Sequence, residues 1–226
     1  VPAGTLAVFD LDGTITRHDT LWPFVLGYLW PRPWRLARLL LAVPAALRFA
    51  FKPDHGDIKG ALIHAALGGL SRPALDRWAE RYVARVLCRG LHAEALAAIA
   101  AHRRQGDRLL LMSASTDLYV PRIGAALRFD ETICTKVLWR RDGTLEGHLA
   151  SANCRGEEKL RCLQALIARE RPECVYAYGD SRSDLPHLQF VQHGFLINPS
   201  RSTRRAAAAS IQTLHWSQPA SAGQIL

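Results

Sequence analysis

The stretch that decides the reading is residues 6–14, "LAVFDLDGT". Four apolar residues run directly into two acids one position apart, Asp10 and Asp12, followed by Gly13 and Thr14. A short apolar run of this kind reads as a buried strand. The alternation of side chains along a strand points Asp10 and Asp12 the same way at its C-terminal end, and Gly13 opens a tight turn. Paired carboxylates at the end of a buried strand repel each other, so either a cation sits there or the pair belongs to a solvated turn.

Working outward, three more apolar runs read as strands: Leu109 to Ser113, Val175 to Tyr178 and Phe195 to Ile197, with helical patterns between them. Strands alternating with helices predict an α/β protein with a Rossmann-like, doubly wound parallel sheet covered on both faces. Residues 132–149, "TICTKVLWRRDGTLEGHL", alternate apolar and polar positions around Asp142-Gly143 and predict a hairpin. From about Arg17 to Arg89 the pattern is almost entirely helical and interrupts the strand rhythm. The predicted organisation is therefore a discontinuous core of residues 1–16 and 90–215, a helical cap of 17–89 inserted into it, and a tail of 216–226 that is disordered or loosely docked.

Each of the other strand ends carries reactive residue types. "LLLMSAS" places Ser113 and Ala114 at the end of the second strand, with Ser115 the alternative to Ser113 if the strand runs longer. "RGEEKLRCL" places Lys159 near the start of a helix, and "YAYGDSRSDLPHL" places Asp180 and Asp184 between a strand and a helix. In a doubly wound sheet, ligands bind in the crevice outside the carboxyl ends of the strands, so all four pieces can meet in one pocket. Four carboxylates would bring about four negative charges together, and two unit charges 4 Å apart already cost on the order of 4 kcal/mol at an effective dielectric of 20. Such a site requires cations. Its donors are all hard oxygens, which suit Mg2+; Lys159 would add a fixed positive charge and Ser113 a hydroxyl donor.

In this order the four pieces resemble the motifs of the haloacid-dehalogenase-like (HAD) superfamily, and within it the phosphoserine-phosphatase-like group with a helical cap after the first motif. The resemblance implies a phosphomonoester hydrolase in which Asp10 is the nucleophile that becomes an aspartyl phosphate and Asp12 is the general acid and base. It also implies metal ligation by Asp10, Asp180, the backbone carbonyl of Asp12 and Asp184, directly or through water, and phosphate contacts from Gly13, Ser113, Ala114 and Lys159. An acid at Asp12 favours a phosphatase over the superfamily's ion-pumping ATPases, which have Thr there, and over its dehalogenases, which lack the acid. Phosphoserine phosphatases read D-x-D-S-T where this chain has Gly13, and carry Glu where it has Asp19. Residues 178–200 instead resemble a branch that includes bacterial phosphatidylglycerophosphate phosphatases. Asp19 is either a substrate contact or a helix N-cap.

Other readings fit less well. An EF-hand fails because the Gly of "DLDGTITRHDTL" is fourth instead of sixth and Leu21 replaces the twelfth-position Glu. "MSAST" lacks the G-x-S-x-G of a serine-hydrolase elbow. His18, His187 and His193 have no metal-ligand spacing. Asp180 and Asp184 taken alone are also good helix caps, and Lys159 alone is an ordinary helix residue. The alternative class is a non-catalytic binder of anionic lipid or nucleic acid on the same fold.

The 226 residues carry 29 Lys and Arg against 20 Asp and Glu, a formal net charge of +9. The excess is spread along the chain without interleaved aromatic residues, so no nucleic-acid partner is expected. The expected partner is a phosphorylated small molecule or lipid. The most apolar segment, 34–51, has only nine uncharged residues between Arg38 and Arg48, with Pro44 among them, whereas a spanning helix needs about 20. It reads either as cap helices packed on the core or, with Trp30, Trp34, Arg32, Arg35, Arg38, Arg48 and Lys52, as an interfacial helix on anionic lipid. Five scattered Cys with no CxxC pair argue against disulfides or structural zinc. Val1 reads as a trimmed start without a signal peptide. The expected location is cytoplasmic, with peripheral contact at the inner face of the membrane.

Overall fold

A computed structural model of the chain describes residues 4–51 and 54–220. Val1, Lys52 and the tail beyond residue 220 lie outside the described residues. The centre is β1 (Thr5–Phe9), whose side chains from Leu6 on are buried on both faces of the sheet. β2 (Arg108–Thr116) pairs with one edge of β1 and β6 (Cys174–Gly179) with the other, both parallel. β3 (Glu131–Thr135) continues one side and β7 (His193–Ile197) and β8 (Gln212–Leu214) the other, giving the order β3-β2-β1-β6-β7-β8. The chain thus winds one way from β1 through β3 and the other way from β6 through β8, which opens a crevice at the carboxyl ends of β1, β2 and β6.

Alternate residues of the strands feed two apolar layers. Ala7, Phe9, Leu109 and Leu111 face the layer containing α6 (Ala93–Gln105) and α7 (Val120–Ala126). Leu6, Val8, Leu110, Met112, Val175 and Ala177 face the layer containing α8 (Glu157–Glu170) and α9 (Leu185–Phe190). This two-sided burial is why the strands read as continuous apolar runs.

Between β1 and α6 lie α1 (Leu21–Leu29), α2 (Pro33–Leu36), a 3-10 turn over Ala37–Ala42, α3 (Val43–Phe51), α4 (His55–Leu67) and α5 (Arg72–Arg89). Aromatic packing ties their base to the core: Phe24 meets Trp78, Tyr82 and Tyr119. The Tyr82 hydroxyl donates to the Thr20 carbonyl at 2.6 Å, and the Thr20 and Tyr119 hydroxyls lie 2.9 Å apart. The outer elements differ. Of α2, the 3-10 turn and α3, only Ala45 is buried among the described side chains, while Trp34 and Leu40 are 70% and 71% exposed. Packing of 34–51 onto the core thus covers only part of that segment. Nor are its basic residues all free: Arg35 and Arg38 donate to the carbonyls of Ala66 and Gly68 at the end of α4, and Arg32 lies over the Tyr28 ring. Among the described residues no helix is long and apolar enough to cross a membrane.

Two sequence expectations need correction, and residues 216–220 favour one of the two readings of the tail. The hairpin is shorter than 132–149: residues 131–135 are β3, an edge strand of the main sheet, and only β4 (Val137–Trp139) and β5 (Leu145–Leu149) pair antiparallel. The hairpin packs on the helical insertion, where Leu145 exchanges backbone hydrogen bonds with Gly69 and Leu70. Gly147 (φ +100°) permits the contact, since a Cβ there would lie 2.6 Å from the Cα of His64. The second correction is that β2 extends to Thr116, past the Ser113 end read from the sequence. Last, the tail is docked as far as it is described: Trp216 is buried, the amides of Ser217 and Gln218 donate to the Glu94 carboxylate, and that of Ala220 to Leu91.

Candidate active site

The chain leaves β1 at Phe9, and Asp10 follows at once, its amide donating to the Tyr178 carbonyl of β6 at 2.9 Å. Gly13 has φ +79° and sits so close to Asp180 that a Cβ would lie 2.2 Å from its carboxylate oxygen. Only glycine fits there, which is how the turn after β1 and the loop after β6 bring their acids together. Carboxylate oxygens of Asp10, Asp180 and Asp184 all lie within 4.8 Å of one another, a group able to hold a metal ion. Asp184 is further fixed by Ser181, whose amide and hydroxyl both donate to it, at 3.1 and 2.6 Å.

Lys159 lies in the first turn of α8 and is 2% exposed. Its Nζ donates to Asp10 Oδ1 at 2.5 Å and to Asp184 Oδ1 at 2.7 Å. Burial alone would discharge it, but the two carboxylates hold its pKa above the ordinary lysine value. Asp184 goes the other way: burial opposes its charge, yet Lys159 and the Ser181 hydrogen bond hold it well below the usual carboxylate range. One ammonium does not satisfy the whole group. Burial, together with Asp184, Asp180 and Asp12, raises Asp10 in spite of Lys159, and burial with Asp184 raises Asp180 to about 7. Hard oxygen donors in excess of the available positive charge fit a divalent cation such as Mg2+.

Asp12 is turned away from that group. Its Oδ1 accepts from the amide and hydroxyl of Thr20, the amide at 2.7 Å, and its Oδ2 accepts from the Ser115 hydroxyl at 2.6 Å. Burial raises its pKa, against the lowering effect of the Ser115 and Thr20 hydrogen bonds. The carboxylate of Asp12 is thus outside the group of Asp10, Asp180 and Asp184, which leaves its backbone carbonyl as the metal contact that the resemblance implies. Because β2 runs to Thr116, Ser115 and Ala114 stand in the cavity wall, whereas Ser113 is wholly buried with its hydroxyl 3.4 Å from Asp12 and accepting from the Ser115 amide. The cavity-facing hydroxyl is that of Ser115. Asp19 lines the cavity and also accepts from the Trp22 amide at 2.9 Å, just ahead of the Thr20 N-cap of α1. Of the histidines, His18 lines the mouth, His193 stacks on Tyr176, and His187 is buried with neither ring nitrogen bonded.

The sequence reading missed Lys59. From α4 it reaches across the cavity and donates to the Ala114 carbonyl and to Asn153 Oδ1, both at 2.6 Å. Burial lowers its pKa to about 8. The cavity enclosed by these residues is about 730 Å³, with the carboxylates at one end and Trp22, Ala42, Ala46, Phe49 and Leu62 at the other.

The family model of haloacid dehalogenase-like hydrolases matches residues 7–189, the span from β1 through the loop that carries Asp180 and Asp184. The chain belongs to this family. Among HAD relatives it is 30% identical to a probable phosphatase of Mycobacterium tuberculosis, over 97% of this chain and 78% of that protein. It is 29% identical to Protein CicA of Caulobacter vibrioides, over 81% of each. Among solved structures, a Bordetella pertussis protein of unknown function superposes with a TM-score of 0.79 at 23% identity, covering 94% of this chain and 98% of that one. A phosphoserine phosphatase carrying a phospho-aspartyl intermediate analogue gives 0.66 at 16% identity and 93% coverage of both chains. At these identities the two structures establish the shared fold.

Proposed function

We propose that this HAD hydrolase is a Mg2+-dependent phosphomonoesterase that works through an aspartyl phosphate on Asp10. The observation that carries the proposal is the convergence of Asp10, Asp180, Asp184 and Lys159, from separate parts of the chain, on one cavity. Asp10, Asp180 and Asp184 would hold the ion, with the Asp12 backbone carbonyl as a further ligand. Mg2+, when bound, would neutralise the carboxylates and polarise the phosphoryl group.

The protein's own groups then divide the work. An Asp10 oxygen attacks phosphorus as the bond to the ester oxygen breaks. Asp12, two residues along and held by Thr20 and Ser115, gives that oxygen its proton. In the second half Asp12 takes a proton from water, which attacks the aspartyl phosphate and frees Asp10 and inorganic phosphate. Lys159 fixes Asp10 and Asp184 and faces the developing negative charge, and Ser115 and the amides around Ala114 and Gly13 lie where phosphoryl oxygens would be bound. Lys59, Arg17 and Arg155 add positive charge along the cavity wall and suit an anionic substrate.

The test is hydrolysis of p-nitrophenyl phosphate by metal-stripped protein with Mg2+ added back. Release of nitrophenolate that rises with Mg2+ and stops on chelation supports the proposal. Activity indifferent to both, or no activity at any Mg2+ concentration, rejects it in favour of a binder on the same fold.

A further inference from the structure

We infer that the outer face of α1–α3 is a docking surface for an anionic phospholipid bilayer, and that the substrate is an amphiphilic phosphomonoester drawn from it; the substrate half rests on the function proposed above. Large apolar side chains stand out along this one segment: Trp30 is 87% exposed, Leu40 71%, Trp34 70%, Leu47 60%, Leu41 58% and Trp22 53%. A protein surface seldom leaves so many such side chains side by side without a partner. They belong to short helical elements whose inner side is already used against α4 and α5, and among the described residues nothing covers the outer side. Tryptophan suits a membrane interface, having an apolar body and one polar N–H.

Charge selects the partner. Residues 21–50 contain Arg32, Arg35, Arg38 and Arg48 and no acidic residue. Arg48 is paired with Asp57 at 3.5 Å, while Arg32, Arg35 and Arg38 donate to neutral carbonyls and keep their charge, so a second copy would set these three arginines against three, in a chain of formal net charge +9. Anionic headgroups complement the face, and its tryptophans and leucines would enter the boundary beneath them. The surface also leads to the site. Trp22 and Ala46 are exposed and line the cavity, where Ala42, Phe49 and Leu62 add an apolar wall opposite the carboxylates. A phosphate at Asp10 and a hydrocarbon against that wall would fit the two ends of the cavity.

The test uses the full chain and Trp30→Ser/Trp34→Ser, whose side chains touch little else. Flotation is measured with vesicles of phosphatidylcholine alone and of phosphatidylcholine with phosphatidylglycerol, at low and high salt. The expected result is binding to the phosphatidylglycerol vesicles that salt weakens and the double substitution reduces at least about tenfold. Turnover of p-nitrophenyl phosphate should stay at the parent level, while hydrolysis of phosphatidate in the same vesicles falls with binding. Absence of vesicle binding, equal binding by the variant, or a concentration-dependent dimer lost in the variant overturns the docking surface. Vesicle binding with p-nitrophenyl phosphate turnover but no phosphatidate hydrolysis overturns the substrate half alone. If binding behaves as expected but wild type hydrolyses no phosphate ester, the docking surface stands and the proposed phosphatase chemistry fails.

Discussion

The two ends of the cavity are built on opposite terms. At the sheet end, buried charged side chains are held by several partners at once: Lys159 by two carboxylates, Asp184 by Lys159 and Ser181, Asp12 by Thr20 and Ser115. At the cap end, α2, the 3-10 turn and α3 leave Trp34, Leu40 and Leu47 in the open. Buried polar groups need every partner in place, so the sheet end tolerates little change. The cap end is constrained only on its inner side and is free to be shaped by what it meets outside.

Substitutions that break this contrast should differ widely in effect. Lys159→Met strands two buried carboxylates; turnover should fall by about 100-fold or more, the scale seen when one preorganised charge-stabilising donor is removed, with Mg2+ affinity measured alongside. Within the cap, Phe24 is completely buried against three aromatic rings. Phe24→Ala should therefore cost about 3–5 kcal/mol in denaturant unfolding.

His187 sharpens the contrast through pH. Burial pushes its pKa down to about 3, while the unfolded chain has the ordinary value of about 6.5. The unfolded state then binds the extra proton between these values, so this histidine's contribution is intact above about pH 6.5 and lost as pH falls toward 3. Going from about pH 7 to about pH 5 should cost about 2 kcal/mol from this residue alone. Urea unfolding of His187→Leu at both pH values should show a correspondingly flatter dependence; an unchanged difference would contradict the assignment. The smallest effect is expected at Leu40, where Leu40→Ser should move stability by no more than about 0.5 kcal/mol.

Much of the sheet end is legible in the sequence because each group follows a buried strand or opens a helix, where position along the chain fixes position in space. Asp10, Asp12, Asp180 and Asp184 are of this kind: Asp10, Asp180 and Asp184 gather with Lys159, and Asp12 lines the same cavity. Lys59 is not: it lies in the middle of α4, and its reach to Ala114 depends on how that helix packs on the hairpin through Gly147. The choice between Ser113 and Ser115 turned on where β2 stops, since two residues on the same face of a strand look alike in sequence. β3 reads as part of a longer hairpin because it is an edge strand, half covered along most of its length, and lies two residues from β4. β8, three residues long, carries too little pattern to be seen. The outward face of α2 and α3 was open to two readings, because an apolar helix gives the same signal whether it faces the core or a bilayer.

The central claim is that Asp10 carries the phosphoryl group. The most direct measurement is an acid quench of the protein during turnover of a phosphate ester labelled in its phosphoryl group, with the label located by peptide mapping. Label on the peptide containing Asp10, released by hydroxylamine and absent from Asp10→Asn, is the predicted result. Undiminished turnover by Asp10→Asn, or label on a different residue, would contradict it.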